Sequence, residues 1–229
     1  MEAYQDAAVV LEEVAGALGK TRSTLRIYDP FFCDGGVVHA LGRLGFDHVY
    51  NKCEDFYAMV ARDALPEFDV LLTNPPFSGD HMERLVGFAT THPKALGKPF
   101  MLLMPNFVYT KPFFAAASQK ISFLVRPMQR YAFVPPRWVS TSKGSTSLAK
   151  GKKTTSPYPT FWYCGNIAPP SSIHFVDKVH RGMFEHALLW CKDQKCLPNE
   201  LRGEFDVKRK RPNPKARKRL RNQKRLRRV

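Results

Sequence analysis

The chain has 229 residues, 44% of them hydrophobic and 24% charged, which is enough for one ordinary core with an appendage and too apolar for a chain disordered throughout. Its formal net charge of +16 is unevenly placed: residues 208–229 carry 13 Lys and Arg and no acid, leaving 23 basic against 20 acidic residues before them. That distribution excludes a uniformly basic protein of the histone kind and describes a near-neutral domain followed by a basic tail.

The first residues, Met1 to Asp6, are acidic and lack the basic start of a signal or transit peptide. No run approaches the ~18 apolar residues of a membrane span. The expectation is a protein neither secreted nor membrane-bound. Five cysteines, at 33, 53, 164, 191 and 196, show no Cys-x-x-Cys spacing. Neither a disulfide framework nor a metal site is expected, and the first three are expected to be core thiols in or beside strands.

In chain order, Ala7, Val10, Leu11, Val14 and Leu18 recur at helical spacing and predict a helix over 4–18. Leu25–Tyr28 is a short apolar strand stopped by Asp29-Pro30. Gly35-Gly36 open a second helix with Val37, Val38, Leu41 and Leu44 on its apolar face, and Gly45 ends it. Residues 48–50 form a strand, 56–65 a short helix closed by Pro66, and 68–73 a third strand running into Asn74-Pro75-Pro76-Phe77. A helix over 82–90, a strand over 100–104, a helix over 112–119 and strands over 122–126 and 131–134 follow. Residues 140–156 are rich in Gly, Ser, Thr and Lys without periodicity and read as a long mobile loop. A strand over 158–163 and an amphipathic helix over 177–192 complete the domain. Alternating strands and helices predict an α/β doubly wound, mostly parallel sheet, with an antiparallel hairpin at its edge from the strands around Tyr131 and Trp162. The domain is placed at 1–200 and the low-complexity basic tail, expected to be disordered alone, at 201–229.

Two loops carry candidate chemistry. In a doubly wound sheet, ligands sit beyond the carboxyl ends of strands. The loop after the first strand, Asp29-Pro30-Phe31-Phe32-Cys33-Asp34-Gly35-Gly36, offers a carboxylate and glycines that let backbone approach a ligand. Its spacing is not Gly-x-Gly-x-x-Gly, and taken alone it reads better as a plain strand–turn–helix connection capped by Asp34. The second loop is more specific. Prolines fix the backbone after Asn74 and leave free carbonyl acceptors. The Asn74 side-chain oxygen and the Pro75 carbonyl can together accept both hydrogens of one planar amino group, on whose ring Phe77 can stack.

Asn74-Pro75-Pro76-Phe77 resembles the catalytic tetrapeptide of the class I S-adenosylmethionine-dependent amino-methyltransferases, whose largest users are adenine-N6 enzymes. Asp29, Pro30, Phe31, Cys33 and Gly35 resemble their first motif, which holds the methionine end of the cofactor. Glu54-Asp55-Phe56 is similar to the acidic-aromatic segment beside the cofactor's adenine, although Asp55 reads equally as a helix cap. The segments 131–136 and 156–163 resemble the family's closing hairpin, so the likeness spans roughly residues 4–165. It implies a Rossmann-like methyltransferase fold, S-adenosyl-L-methionine as cofactor, and Asn74, Pro75, Pro76 and Phe77 as catalytic residues. The chain departs from the family at the end of the second strand. There Asn51-Lys52 stand where an acid usually meets the ribose, and Glu54 comes slightly late. The short span from Asp29 to Asn74 implies the loss of one strand–helix unit. Tyr131, Tyr158 and Trp162 are further stacking candidates, with core packing the commoner role for aromatics on strands.

In the tail, Lys208, Arg209, Lys210, Arg211, Lys215, Arg217, Lys218, Arg219, Arg221, Lys224 and Arg225 can neutralise many phosphates. Little aromatic interleaving means little base readout there. A nucleic-acid partner is expected, RNA favoured over DNA, with a nuclear or nucleolar address if the source is eukaryotic and a cytoplasmic one otherwise. Any protein partner is left open. Two other functions fit the same residues: methylation of a protein glutamine, and a non-catalytic RNA-binding assembly factor that keeps the fold.

Overall fold

The computed structural model describes residues 2–125, 127, 130–133, 154–156 and 158–167. Contacts divide the chain into two units, Met1–Lys192 and Asp193–Val229, and every described residue lies in the first. The expected helix over 177–192, Cys191, Cys196 and the basic tail lie outside the described residues.

Helix α1 spans Glu2–Ala17 and buries Ala7, Ala8, Val10, Leu11, Val14 and Ala15, one stripe at helical spacing. Gly19, at φ 65°, turns the chain away, and the Lys20 N–H closes on the Ala15 carbonyl. Strand β1 is Arg26–Tyr28. Helix α2, Gly36–Gly42, ends three residues before Gly45, and its Val38 is 42% exposed rather than part of the apolar face. Strand β2 is His48–Tyr50. Helix α3, Phe56–Ala61, is four residues shorter than the pattern predicts, because Asp63 takes a left-handed φ of 53°. Strand β3 is Val70–Thr73, α4 is His81–Thr91 and β4 is Phe100–Pro105. After α5, Pro112–Ala117, come β5, Ile121–Val125, and β6, Ala132–Phe133. Strand β7, Thr154–Thr155, occupies the end of the segment expected to be loop, and β8 is Thr160–Gly165.

Six strands form one sheet in the order β2-β1-β3-β4-β8-β5. The first four are mutually parallel, and β8 runs antiparallel between β4 and β5. The antiparallel hairpin at the edge is therefore made by β5 and β8. The residues beside Tyr131 pair instead with Thr154–Thr155 in a separate two-stranded ribbon. Every residue of β3, β4 and β8 is buried, the pattern of strands covered on both faces. Trp162 and Tyr131 belong to this core: the Trp162 indole donates to the Ala3 carbonyl at 3.0 Å, and the Tyr131 hydroxyl donates to Asp6. Among the described residues, no helix is long and apolar enough to cross a membrane.

Candidate active site

The carboxyl ends of β1, β2, β3 and β4 share one edge of the sheet and are followed by Asp29, Asn51, Asn74 and Asn106 respectively. From β1 the chain winds outward to β2, then returns to β3 on the other side of β1. The switch point thus falls between β1 and β3, where an open α/β sheet forms its ligand crevice. The two loops singled out from sequence are the ones that flank it.

The first loop is tied down on all sides. The Asp29 N–H donates to the Tyr50 carbonyl at 3.0 Å, and the Asn51 amide donates to the Asp29 carbonyl at 3.0 Å. The Asp29 carboxylate accepts from the Phe31 N–H at 3.1 Å and from the Thr73 hydroxyl at 2.5 Å. Burial pushes its pKa up to about 7, with those two hydrogen bonds acting in the opposite direction. Asp29 therefore joins the β1 loop to the residue immediately before Asn74. Beyond it the chain turns through Cys33, at φ 49°, and Gly35, at φ 70°. Gly35, not Asp34, is the residue capping α2, and no side chain caps that helix. A Cβ on Gly35 would lie 3.0 Å from the Phe32 ring, so the turn needs glycine both for its φ and for space.

In the second loop, Asn74 is exposed, Pro75 buried, Pro76 exposed and Phe77 half-buried. Buried Pro75 anchors the tetrapeptide while the Asn74 side chain faces the open edge. At the end of β2, the Tyr50 hydroxyl donates to Glu54 at 2.9 Å, and the Lys52 ammonium lies 4.8 Å from the Tyr50 ring centre. Glu54, though three residues late, is thereby held beside the strand end where the acid was expected. Asp55 caps α3, accepting from the N–H groups of Tyr57 at 2.9 Å and Ala58 at 3.1 Å. Phe56 is buried, its ring against Tyr28, Phe31 and Phe88. Phe31, half-buried, also meets Tyr57 and His81, so rings continue from the β1 loop across α3 to α4. Behind them, an open groove of about 430 Å³ lies between α3 and α4, with Arg84 3.4 Å above the Tyr57 ring.

Two contributors escaped the sequence reading, and a third, Asn51, stood in it only as a departure. Thr73 reads only as a strand residue. Tyr4, on the first turn of α1, is pushed above the ordinary tyrosine range, first by burial and then by the nearby Asp29 carboxyl. Asn51 has a buried side-chain oxygen with no hydrogen-bond partner. The signal available for Asn51 was its position; for the other two there was none. Cys33 and Cys53, expected in the core, are exposed because both fall in loops at this edge, whereas Cys164 is buried in β8. Among the described residues, no group of His, Cys, Asp and Glu is arranged to hold a metal ion.

No protein-family model matches the chain, and no curated protein matches it. Topology is what places it: parallel strands wound outward from a central switch point, closed by one antiparallel strand. The fold is Rossmann-like. It is compatible with binding of S-adenosylmethionine and with a methyltransferase architecture in general. The residues at the edge suit such a ligand: an exposed carboxylate in Glu54, a glycine turn at Gly35, and aromatic rings in Phe31 and Tyr57.

Proposed function

We propose that the protein is an S-adenosylmethionine-dependent amino-methyltransferase acting on N6 of adenine in RNA. The observation that carries this reading is the position of Asn74-Pro75-Pro76-Phe77. It is a rigid acceptor pair followed by an aromatic ring, standing at the carboxyl end of β3 beside the switch point. The cofactor, when bound, would supply a methyl group on a positively charged sulfur, which leaves as a neutral thioether as the carbon–sulfur bond breaks. Asn74 and the Pro75 carbonyl accept the two N–H bonds of the amine, whose lone pair is otherwise delocalised into the ring. Their pull favours the pyramidal nitrogen needed for attack on the methyl carbon, and the surplus proton leaves once nitrogen is cationic. Positioning and fixed dipoles, rather than a general base, supply the rate. Phe77 stacks on the base, which must leave its helix if paired. Asp29, Pro30, Phe31, Cys33, Gly35 and Glu54 form the cofactor side of the crevice, and the basic residues of 208–229 dock the RNA.

One observation favours a second reading, a non-catalytic RNA-binding assembly factor: Asn51 in place of the acid at the end of β2. Calorimetric titration with S-adenosylmethionine separates the two. Micromolar binding supports the enzyme, and absence of binding by the folded protein supports the assembly factor. Nucleoside analysis of RNA from a deletion strain then separates adenine from a protein glutamine as substrate. Loss of one N6-methyladenosine is expected; an unchanged nucleoside profile contradicts the RNA assignment.

A further inference from the structure

The loop leaving β4 and the loop entering β8 are clasped together at the same edge of the sheet. The Asn106 N–H donates to the Pro159 carbonyl at 2.8 Å. The Tyr163 hydroxyl, at the centre of β8, lies 2.9 Å from the Pro105 carbonyl and 3.2 Å from the Asn106 carbonyl. Fixed between these bonds, Phe107 and Tyr158 meet edge to face, with ring centres 5.0 Å apart and planes at 79°. The Tyr158 N–H donates to the Ser156 hydroxyl at 3.2 Å, which sets the entry of that loop. The Lys111 ammonium lies 5.6 Å from the Phe107 ring centre. Tyr158 is 49% exposed, unlike Tyr131, Trp162 and Tyr163 of the neighbouring strands, which are buried.

Single exposed apolar side chains need no explanation. A rigidly mounted aromatic pair with a cation beside it, at the crevice edge, presents a definite chemistry. It offers the exposed Tyr158 ring to a planar ring, and a positive charge to the anion attached to that ring. Its place relative to Asn74 follows from strand register. Thr73 stands opposite Leu102, and β4 continues three residues further, to Pro105. The platform therefore lies one strand over, past a strand end that stands roughly 10 Å beyond the level of Thr73, at about 3.3 Å per residue.

We propose that Phe107, Tyr158 and Lys111 form a stacking platform for an unpaired nucleotide flanking the base presented to Asn74. The inference rests on the nucleic-acid reading above and adds that the RNA is single-stranded next to its target. A base within a duplex has both faces covered and cannot occupy the platform. Charge favours RNA over an apolar partner: Lys150, Lys152 and Lys153 precede Tyr158 in the chain by at most eight residues, and Lys111 adds a fourth cation.

The test uses the full chain with a short single-stranded RNA carrying 2-aminopurine beside one adenosine, and with the same sequence as a blunt duplex. The wild type is expected to prefer the single strand and to quench 2-aminopurine. Phe107→Leu and Tyr158→Leu should each weaken single-strand binding about fivefold or more and relieve the quenching. Tyr158→Phe, which keeps the ring, should restore both. Lys111→Gln should lower the slope of log affinity against log salt by about one. Unchanged melting temperature and S-adenosylmethionine affinity check that the variants are folded, and if Phe107→Leu unfolds, the exposed Tyr158 decides the matter alone. Leucine variants that bind and quench like the wild type overturn the platform and leave the nucleic-acid reading standing. A wild type that binds cofactor but neither RNA overturns that reading, and the platform with it.

Discussion

Thr73 sits where the two loops of the crevice meet. Its hydroxyl holds the Asp29 carboxylate while its backbone delivers Asn74, so a change in one loop is felt in the other. Thr73→Val removes the bond at nearly constant volume and leaves a buried carboxyl short of a donor, a loss of about 1–3 kcal/mol. The expected result is a lower melting temperature and a kcat reduced about tenfold, both largely restored in Thr73→Ser. Asp29 has its own signature in stability. Its folded pKa of about 7 lies above the 3.8 of an ordinary aspartate, so the folded protein holds the proton more tightly. Its ionisation should lower stability progressively between about pH 4 and pH 7. Thermal unfolding across that range should show a decline in the wild type that is absent in Asp29→Asn; parallel profiles would contradict it. These two residues also show where sequence reading stops. Asn74-Pro75-Pro76-Phe77 was legible because its four residues are adjacent in the chain. The bond between residues 29 and 73 exists only through the pairing of β1 with β3, which no local pattern records. Asn51 was marked only as a departure, and its buried, unpaired oxygen appeared with the fold.

Among the elements, the parallel strands were legible as apolar runs ending in Asp, Asn or Pro, even where they are three residues long. The place of β8 was not. As the last two strands, joined by a long loop, β8 and the strand at Tyr131 were expected to pair, yet burial of all six residues of β8 requires an interior position. It finds that position between β4 and β5, leaving the Tyr131 segment to pair with Thr154–Thr155. Gly165 shows how tight that insertion is. A Cβ there would lie 2.0 Å from the Phe100 ring and 2.5 Å from the Lys120 carbonyl. Gly165→Ala should therefore destabilise the fold by about 3 kcal/mol or more, readable as a shift in denaturation midpoint. Also at the amino ends of the parallel strands, Asp69 ties the start of β3 to β1, accepting from the Arg26 guanidinium and N–H, each at 2.8 Å, and from Lys20 at 2.5 Å. Burial alone would raise its pKa, but these donors outweigh burial and hold it well below the usual carboxylate range. Its contribution is present above about pH 4 and is lost as pH falls toward the lowered pKa. Asp69→Asn should destabilise by about 1–2 kcal/mol at neutral pH and make stability less sensitive to acid.

Across the whole chain, the charge of +16 resolves into a domain close to neutral and a terminal stretch holding 13 cations. Deleting residues 208–229 is expected to weaken RNA binding and flatten its salt dependence, with S-adenosylmethionine affinity unchanged by calorimetry. Loss of cofactor binding on truncation would contradict that division. The most direct measurement of the central claim is transfer of a deuterated methyl group from S-adenosylmethionine to RNA, read by mass spectrometry of the nucleosides. Labelled N6-methyladenosine is expected with the wild-type protein and none with Asn74→Ala, which should still bind cofactor. Transfer that survives within a few-fold in Asn74→Ala, or label found elsewhere than adenine N6, would contradict the claim.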